Sequence, residues 1–287
     1  MDSDKIKILQ IMNTDTQIID IKPKLKSYQI REYFYSNESC HYYDGYERNS
    51  QKPVIIKQLR KRFKDNHEQK NIFIQVQQLL QQINSSFVAN ILDIDPENAT
   101  VVLDWYTGET LFEKRTKEFN MDRDLAVQFV VQICEMLEQL YDYMDFYGNI
   151  NAHNLCIDYN NLHAKFDDLY YGFGVRDPAR VNHPNFQIYL APELLDGQSF
   201  SPQTDQYALA VLLYNLIHGK SPCTLQAIED ELSYFSDVMA KATRLDPSKR
   251  YKSICEFKNA LINAHKVHVP SWQKSTSKVR KFISTIT

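Results

Sequence analysis

The segment YGNINAHNLCID, residues 147–158, has the spacing of an enzyme's catalytic loop. Small and polar residues lead into the apolar Ile150, and a second polar stretch ends at Asn154. Chemistry in such a loop requires a group that takes up or releases a proton, and the amides of Asn149 and Asn151 do neither at neutral pH. The segment therefore has the pattern of an active site without the usual reactive residue types.

The composition is that of a globular protein without a strong charge bias. The net charge of −3 over 287 residues indicates no basic field for nucleic-acid binding. No uncharged apolar run approaches the ~18 residues expected of a membrane-spanning helix, and no basic and then apolar leader opens the sequence. The five cysteines are scattered and form no C-x-x-C pair, which favours a reduced, cytoplasmic location over a disulfide framework or a zinc site.

The sequence divides into two halves with different hydrophobic periodicity. Up to about residue 106, four runs rich in β-branched and aromatic residues predict strands, namely YQIREYF, HYYDGY, PVIIKQL and ATVVLDWY. One helical window interrupts them, with apolar residues at three- and four-residue spacing from Ile72 to Ile83. After about residue 122 the helical period dominates, and the apolar helix DQYALAVLLYNLIHGK is expected to stop at Gly219. This pattern predicts a strand-rich lobe followed by a helical lobe.

Seven motifs in series resemble those of the eukaryotic-type (Hanks-type) protein kinases, and most closely the pattern of the bacterial Ser/Thr kinases. They are PVIIK with Lys57, the hinge VVLDWYTGETL with Leu103 as gatekeeper, GNINAHNL, KFDDLY, APE at 191–193, the helix with Asp205, and LDPSKRY with Arg250. The resemblance implies an α+β, bilobal protein-kinase-like fold with one helix in the N-lobe. It also implies a buried Asp205 and an ion pair between Glu193 and Arg250.

The same resemblance divides the chain into four parts. Residues 1–27 form an N-terminal extension with extra strands, residues 28–106 the N-lobe, residues 107–268 the C-lobe, and residues 269–287 a basic tail. The tail carries four basic residues near Trp272 and Phe282, a composition that allows weak contact with an anionic membrane surface or a partner.

At the positions of kinase chemistry the resemblance implies substitutions. Asn149 replaces the catalytic aspartate, Gly148 the preceding arginine, and Asn151 the lysine two residues later. Loss of the arginine also removes the receptor for an activation-segment phosphate. The expectation is a degenerate member of the superfamily, a pseudokinase that is not an enzyme and shows no autophosphorylation. His153 is a less favoured replacement base, since a loop histidine is more often a solvated polar residue.

By the same resemblance the nucleotide site is only partly retained. Lys57, Asn154 and Asp168 match the phosphate-binding lysine and the two metal ligands of the family. The glycines that let the backbone approach the phosphates are replaced, at positions Tyr35, Asn37 and Cys40. No cofactor is therefore expected, with ATP and magnesium as the less favoured alternative.

The purine slot is predicted to be filled by side chains of the protein itself. Tyr42 and Ile55 occupy the positions of the smaller valine and alanine of the family, and Cys156 forms the floor. A packed interior has no spare room for the added volume. The glutamate partner of the lysine is missing, because its candidate positions are Gln75 and Val76, and Lys57 is then free to pair with Asp168.

The sequence favours a protein-binding scaffold or regulatory module, with a protein partner and no nucleic acid. Two enzymatic alternatives stay open. One is an unconventional nucleotide-dependent transferase, for example of AMP, and the other is a weakly active Ser/Thr protein kinase with a displaced base. Neither the partner nor the oligomeric state can be read from the sequence.

Overall fold

A computed structural model describes the chain in segments. They are residues 25–36, 39–82, 89–105, 109–110, 121–152, 155–158, 163–166, 187–219, 222, 228 and 234–268. The predicted extra strands of the N-terminal extension and the basic tail fall outside these segments, apart from three residues at the end of the extension.

The N-terminal lobe is built on a five-stranded antiparallel sheet with the order β1-β2-β3-β5-β4. Its strands are β1 (Tyr28–Ser36), β2 (Cys40–Glu47), β3 (Pro53–Leu59), β4 (Ile91–Asp95) and β5 (Thr100–Asp104). All four strands predicted from the sequence are present, and β4 is an additional one. The sheet confirms the strand-rich N-lobe of a protein-kinase-like fold.

Side chains on the two faces of this sheet enter different apolar clusters, because successive residues of a strand point to opposite faces. The outer face carries Val54, Ile56 and Val102, which pack with Leu25 in a small cluster. The inner face joins the main core of the molecule through the alternate positions, which are Cys40, Tyr42, Ile55, Leu59, Val101 and Leu103.

Two helices follow β3 before the chain returns to the sheet. The first, α1 (Lys61–Lys64), is a single turn, and the second, α2 (His67–Gln82), covers the predicted helical window. The buried residues of α2 recur at helical spacing, so the helix lays one apolar face against the sheet; they include Phe73, Ile74, Val76, Gln77 and Leu80. The expectation of one N-lobe helix therefore holds for α2, with α1 as a short addition.

The C-terminal lobe is dominated by helices. A small antiparallel sheet of β6 (Glu109–Thr110), β7 (Leu155–Asp158) and β8 (His163–Phe166) accompanies them. The helices are α3 (Arg123–Leu140), α4 (Pro192–Leu195), α5 (Pro202–His218), α6 (Ser236–Ala242) and α7 (Ile254–His268), with a 3₁₀ turn at Pro247–Lys249 between the last two. None of the described helices combines the length and apolar character that crossing a bilayer requires.

Helix α5 is the centre of this lobe, and its ends are fixed by local sequence signals. At its start, Ser201 and Thr204 form a reciprocal capping box, with Pro202 in the first turn. At its end, Gly219 adopts a left-handed conformation with φ of 65°, as expected of a helix stop. Between these caps nearly every residue is buried, which places α5 where it can anchor the loops around it.

Candidate functional site

The candidate catalytic loop is held in place by Asp205 of α5. One carboxylate oxygen of Asp205 accepts hydrogen bonds from the backbone N–H of Tyr147 at 2.7 Å and from the hydroxyl of Tyr141 at 2.8 Å. The other oxygen accepts from the backbone N–H of Gly148 at 2.8 Å. Asp205 is thus a buried anchor for the loop, as the resemblance implied, and not a helix cap.

Burial dominates the electrostatics of this anchor. It raises the pKa of Asp205 to about 6, and the hydrogen bonds from Tyr147, Gly148 and Tyr141 oppose that rise. Gly148 has a φ of 76°, in the left-handed region where a side chain causes strain. A glycine at this point lets the loop turn toward Asp205 without that strain.

Asn149 and Asn151 form a contact inside the loop. The side-chain amide of Asn151 donates to the side-chain oxygen of Asn149 at 3.1 Å and to its backbone oxygen at 3.2 Å. Both residues are buried. The side-chain oxygen of Asn149 is therefore kept in a fixed orientation by its neighbour, although the residue carries no charge.

A buried ion pair ties α4 to the far end of the lobe. The guanidinium of Arg250 donates to both carboxylate oxygens of Glu193, at 2.6 and 2.8 Å. It also donates to the backbone oxygens of Gln203 at 3.0 Å and Arg244 at 2.8 Å. This pair was implied by the resemblance, and the structure confirms it.

The ammonium group of Lys57, on β3, lies near two aromatic rings. Its ammonium nitrogen lies 5.8 Å from the centroid of the Tyr42 ring and 5.9 Å from the centroid of the Phe73 ring, within the range of a cation–π contact. Lys57 is 2% exposed and Tyr42 is 1% exposed. Tyr42 is the direct cross-strand neighbour of Lys57 in the β2–β3 pairing, which places its ring on the same face of the sheet.

The helix residue nearest to Lys57 differs from the expectation. Gln75 is exposed on the outer side of α2, and Val76 is part of its buried face. The residue whose ring lies against the ammonium is Phe73, two positions before Gln75. Helix α2 therefore brings an aromatic ring close to the ammonium of Lys57.

The predicted purine slot has one described wall, and that wall is closely packed. Tyr42, Ile55 and Leu103 are buried on the inner face, and Ile55 pairs directly with Leu103 of β5. On the phosphate side Lys57 supplies a cation of the right kind, although it is 2% exposed in this arrangement. The purine side fits only if the Tyr42 ring moves. The side chain of Cys156, the hinge after Trp105 and the residues Asn154, Asp168 and His153 fall outside the described part of the chain.

The arrangement of a five-stranded lobe with α2, a helical lobe centred on α5, and a loop anchored by Asp205 defines a protein-kinase-like fold. Sequence comparison agrees, since the protein kinase domain family model matches residues 38–287. The chain belongs to the protein kinase family.

Solved structures show the same fold. The kinase domain of Mycobacterium tuberculosis PknI superposes with a TM-score of 0.67 at 16% identity, covering 83% of this chain and 96% of that one. A structure of Rad53 1-466 in complex with AMP-PNP has a TM-score of 0.68 at 17% identity, covering 90% of this chain and 69% of that one.

Curated relatives are serine/threonine protein kinases by name. The ypkA kinase of Aspergillus fumigatus is 29% identical over 147 residues, which is 50% of this chain and 23% of that protein. The PknA kinase of Corynebacterium glutamicum is 27% identical over 185 residues, which is 60% of this chain and 38% of that protein. The chain thus matches less than half the length of either relative.

These comparisons contradict the prediction that the chain is not an enzyme. The family is defined by an enzymatic activity, and the relatives are named kinases. The sequence argument was wrong because it equated loss of the Asn149 charge with loss of catalysis. Phosphoryl transfer depends mainly on positioning and electrostatic stabilisation, so the loss of one loop charge does not by itself establish the loss of catalysis.

Proposed function

We propose that the chain is a weakly active serine/threonine protein kinase in which an amide takes the place of the catalytic carboxylate. The observation that carries the proposal is the fixed orientation of Asn149. Its side-chain oxygen is held by the Asn151 amide at 3.1 Å, in a loop that Asp205 anchors as in a built active site. In this proposal the loop keeps the anchored backbone of a catalytic loop, and an uncharged amide stands where the family has a carboxylate.

Asn149 would act by orienting the acceptor hydroxyl. An amide oxygen accepts a hydrogen bond from a serine or threonine hydroxyl, but it does not take up the proton at neutral pH. Because the transition state of phosphoryl transfer is loose and needs little proton removal early in the reaction, orientation alone retains part of the rate. We expect a rate lower than that of a carboxylate loop by the ~10²–10⁴-fold attributed to general base catalysis.

Lys57, Asn154 and Asp168 are the residues that would hold ATP and magnesium. When bound, ATP supplies the phosphoryl group and the metal ion offsets charge on the phosphates. Lys57 contributes a buried cation for the phosphates, which supports this part of the proposal. ATP and magnesium, the less favoured alternative in the sequence, therefore replace the expectation of no cofactor.

The partner in this proposal is a protein substrate with a serine or threonine acceptor. The names of the relatives support this class of acceptor. A reduced, cytoplasmic location is part of the proposal, and the described cysteines Cys134 and Cys255 are free thiols.

Exchange of the loop amide for a carboxylate tests the role of Asn149. Asn149→Asp keeps the size of the side chain and its acceptor for the Asn151 amide, and it adds the missing base. With radiolabelled ATP, magnesium and a generic serine- and threonine-containing protein, we expect transfer by Asn149→Asp to exceed that by the wild type by ~10²-fold or more.

Asn149→Ala serves as the matched control, because it removes the orienting oxygen and the hydrogen bond that this oxygen accepts from Asn151. We expect its rate to fall below that of the wild type. Equal rates for the wild type and Asn149→Ala would overturn the role given to Asn149, and so would an Asn149→Asp variant that folds and transfers no faster.

A further inference from the structure

Tyr42 lies beside Lys57 on the inner face of the N-lobe sheet. It faces Lys57 directly across the β2–β3 pairing, and its ring centroid lies 5.8 Å from the ammonium nitrogen. The Phe73 ring centroid lies 5.9 Å from the same nitrogen. With Lys57 2% exposed and Tyr42 1% exposed, neither side chain is available to a ligand in this arrangement.

We propose that Tyr42 is a gate over Lys57, and that a nucleoside triphosphate binds only when the Tyr42 ring has rotated away from the inner face of the sheet. The inference rests on the proposed function, because it concerns nucleotide binding at the same site. In this proposal the Tyr42 side chain determines how tightly the site binds a nucleotide.

The backbone around Tyr42 is held from the outer face of the sheet, so the gate is the side chain and not the whole hairpin. Tyr33, His41 and Tyr43 pack edge to face, with ring centroids 5.8 to 6.4 Å apart. The Ser36 hydroxyl hydrogen-bonds the His41 ring at 2.6 Å and accepts from the Tyr33 hydroxyl at 3.0 Å. These contacts brace β1 against β2 on both sides of Tyr42.

A closed gate lowers the apparent affinity. When the competent conformation is only a fraction of the population, the measured dissociation constant is the intrinsic constant divided by that fraction. Replacing the ring by a small side chain removes this penalty. We expect the dissociation constant of magnesium ATP to fall at least tenfold in Tyr42→Val, which corresponds to about 1.4 kcal/mol.

Two variants control for effects other than gating. Tyr42→Phe retains the ring and loses only the hydroxyl, and it should bind magnesium ATP like the wild type. Tyr46→Val is the same truncation elsewhere on β2, outside the contacts among Tyr33, His41 and Tyr43, and it should leave nucleotide affinity unchanged. Calorimetric titration of each variant with magnesium ATP gives the constants.

The outcomes separate the gate from the proposed kinase activity. Tighter binding by Tyr42→Val without phosphoryl transfer would support the gate and count against the proposed function. Equal affinity for the wild type and Tyr42→Val overturns the gate and leaves the kinase proposal intact. No binding to either protein overturns both.

A measurement on the wild type alone covers the case in which Tyr42→Val does not fold. Modification by a small amine-reactive reagent, mapped by mass spectrometry, compares Lys57 with the exposed Lys52, which directly precedes β3. A closed gate predicts that Lys57 reacts at least a hundredfold more slowly than Lys52. Similar rates for the two lysines would overturn the gate.

Discussion

Replacement of Arg250 by methionine tests how strongly the Glu193–Arg250 pair stabilises the C-terminal lobe. The Arg250 side chain is fully buried, and the Glu193 side chain is 5% exposed. The guanidinium makes two hydrogen bonds to the carboxylate and two to backbone oxygens. Methionine fills most of the same volume, so the main effect is to leave the Glu193 carboxylate buried without its cation.

The magnitude follows from the cost of a buried, uncompensated charge. Removing one partner of a buried pair destabilises a protein by about 3–5 kcal/mol. Against a typical total stability of about 5–15 kcal/mol, this is a large fraction. We expect Arg250→Met to lower the free energy of unfolding by this amount in urea denaturation near neutral pH.

A double variant separates the pair from the packing. Glu193→Leu combined with Arg250→Met removes both charges, so its destabilisation should be smaller than the sum of the two single effects by about 2 kcal/mol or more. The reasoning would be refuted by an Arg250→Met protein within about 1 kcal/mol of the wild type, or by single effects that simply add.

Three further predictions concern the core and the loop anchor. Ile55→Ala should lower the free energy of unfolding by about 2–5 kcal/mol, because it truncates a buried side chain; a loss below about 1 kcal/mol would contradict the packed inner face. Gly148→Ala should cost about 1–2 kcal/mol in urea denaturation, because alanine is strained at a φ of 76°, and an unchanged midpoint would contradict this. Burial raises the pKa of Asp205 from 3.8 to about 6 in the folded protein. The protonated carboxyl therefore stabilises the fold, fully below pH 3.8, and this contribution is lost as the pH rises through about 6. The stability of the wild type relative to Asp205→Asn should therefore fall by about 1 kcal/mol between about pH 5 and pH 7, and a difference that grows with pH would refute it.

Much of the fold could be predicted because its signals are local. The alternation of PVIIKQL and the apolar run that Gly219 ends are both read from short windows. The strand β4 was missed because the burial of its residues does not follow their hydrophobicity. Leu92 is 40% exposed while Asp95 is 2% exposed, since Asp95 accepts hydrogen bonds from Glu97 and Asn98 in the turn that follows.

The candidate site was harder to predict, because its geometry depends on tertiary packing. The sequence placed Lys57 and Tyr42 on neighbouring strands, but the approach of Phe73 to the lysine depends on which face of α2 packs on the sheet. The contact between Asn149 and Asn151 is also invisible in sequence, where both appear only as lost charges. The substitution pattern stays a prediction for the individual site residues, and the conclusion drawn from it, that the chain is not an enzyme, is the one that the comparisons contradict.

The most direct test of the central claim is the position of the label that the wild-type chain transfers from ATP. ATP labelled in the γ-phosphate and ATP labelled in the α-phosphate are compared with the same protein acceptor, with Lys57→Met as the control. A serine/threonine kinase predicts γ-label on serine or threonine, slow but above the Lys57→Met background, and no α-label. Transfer of α-label would instead indicate AMP transfer, and the absence of γ-label above the control would contradict the claim that this chain is a kinase.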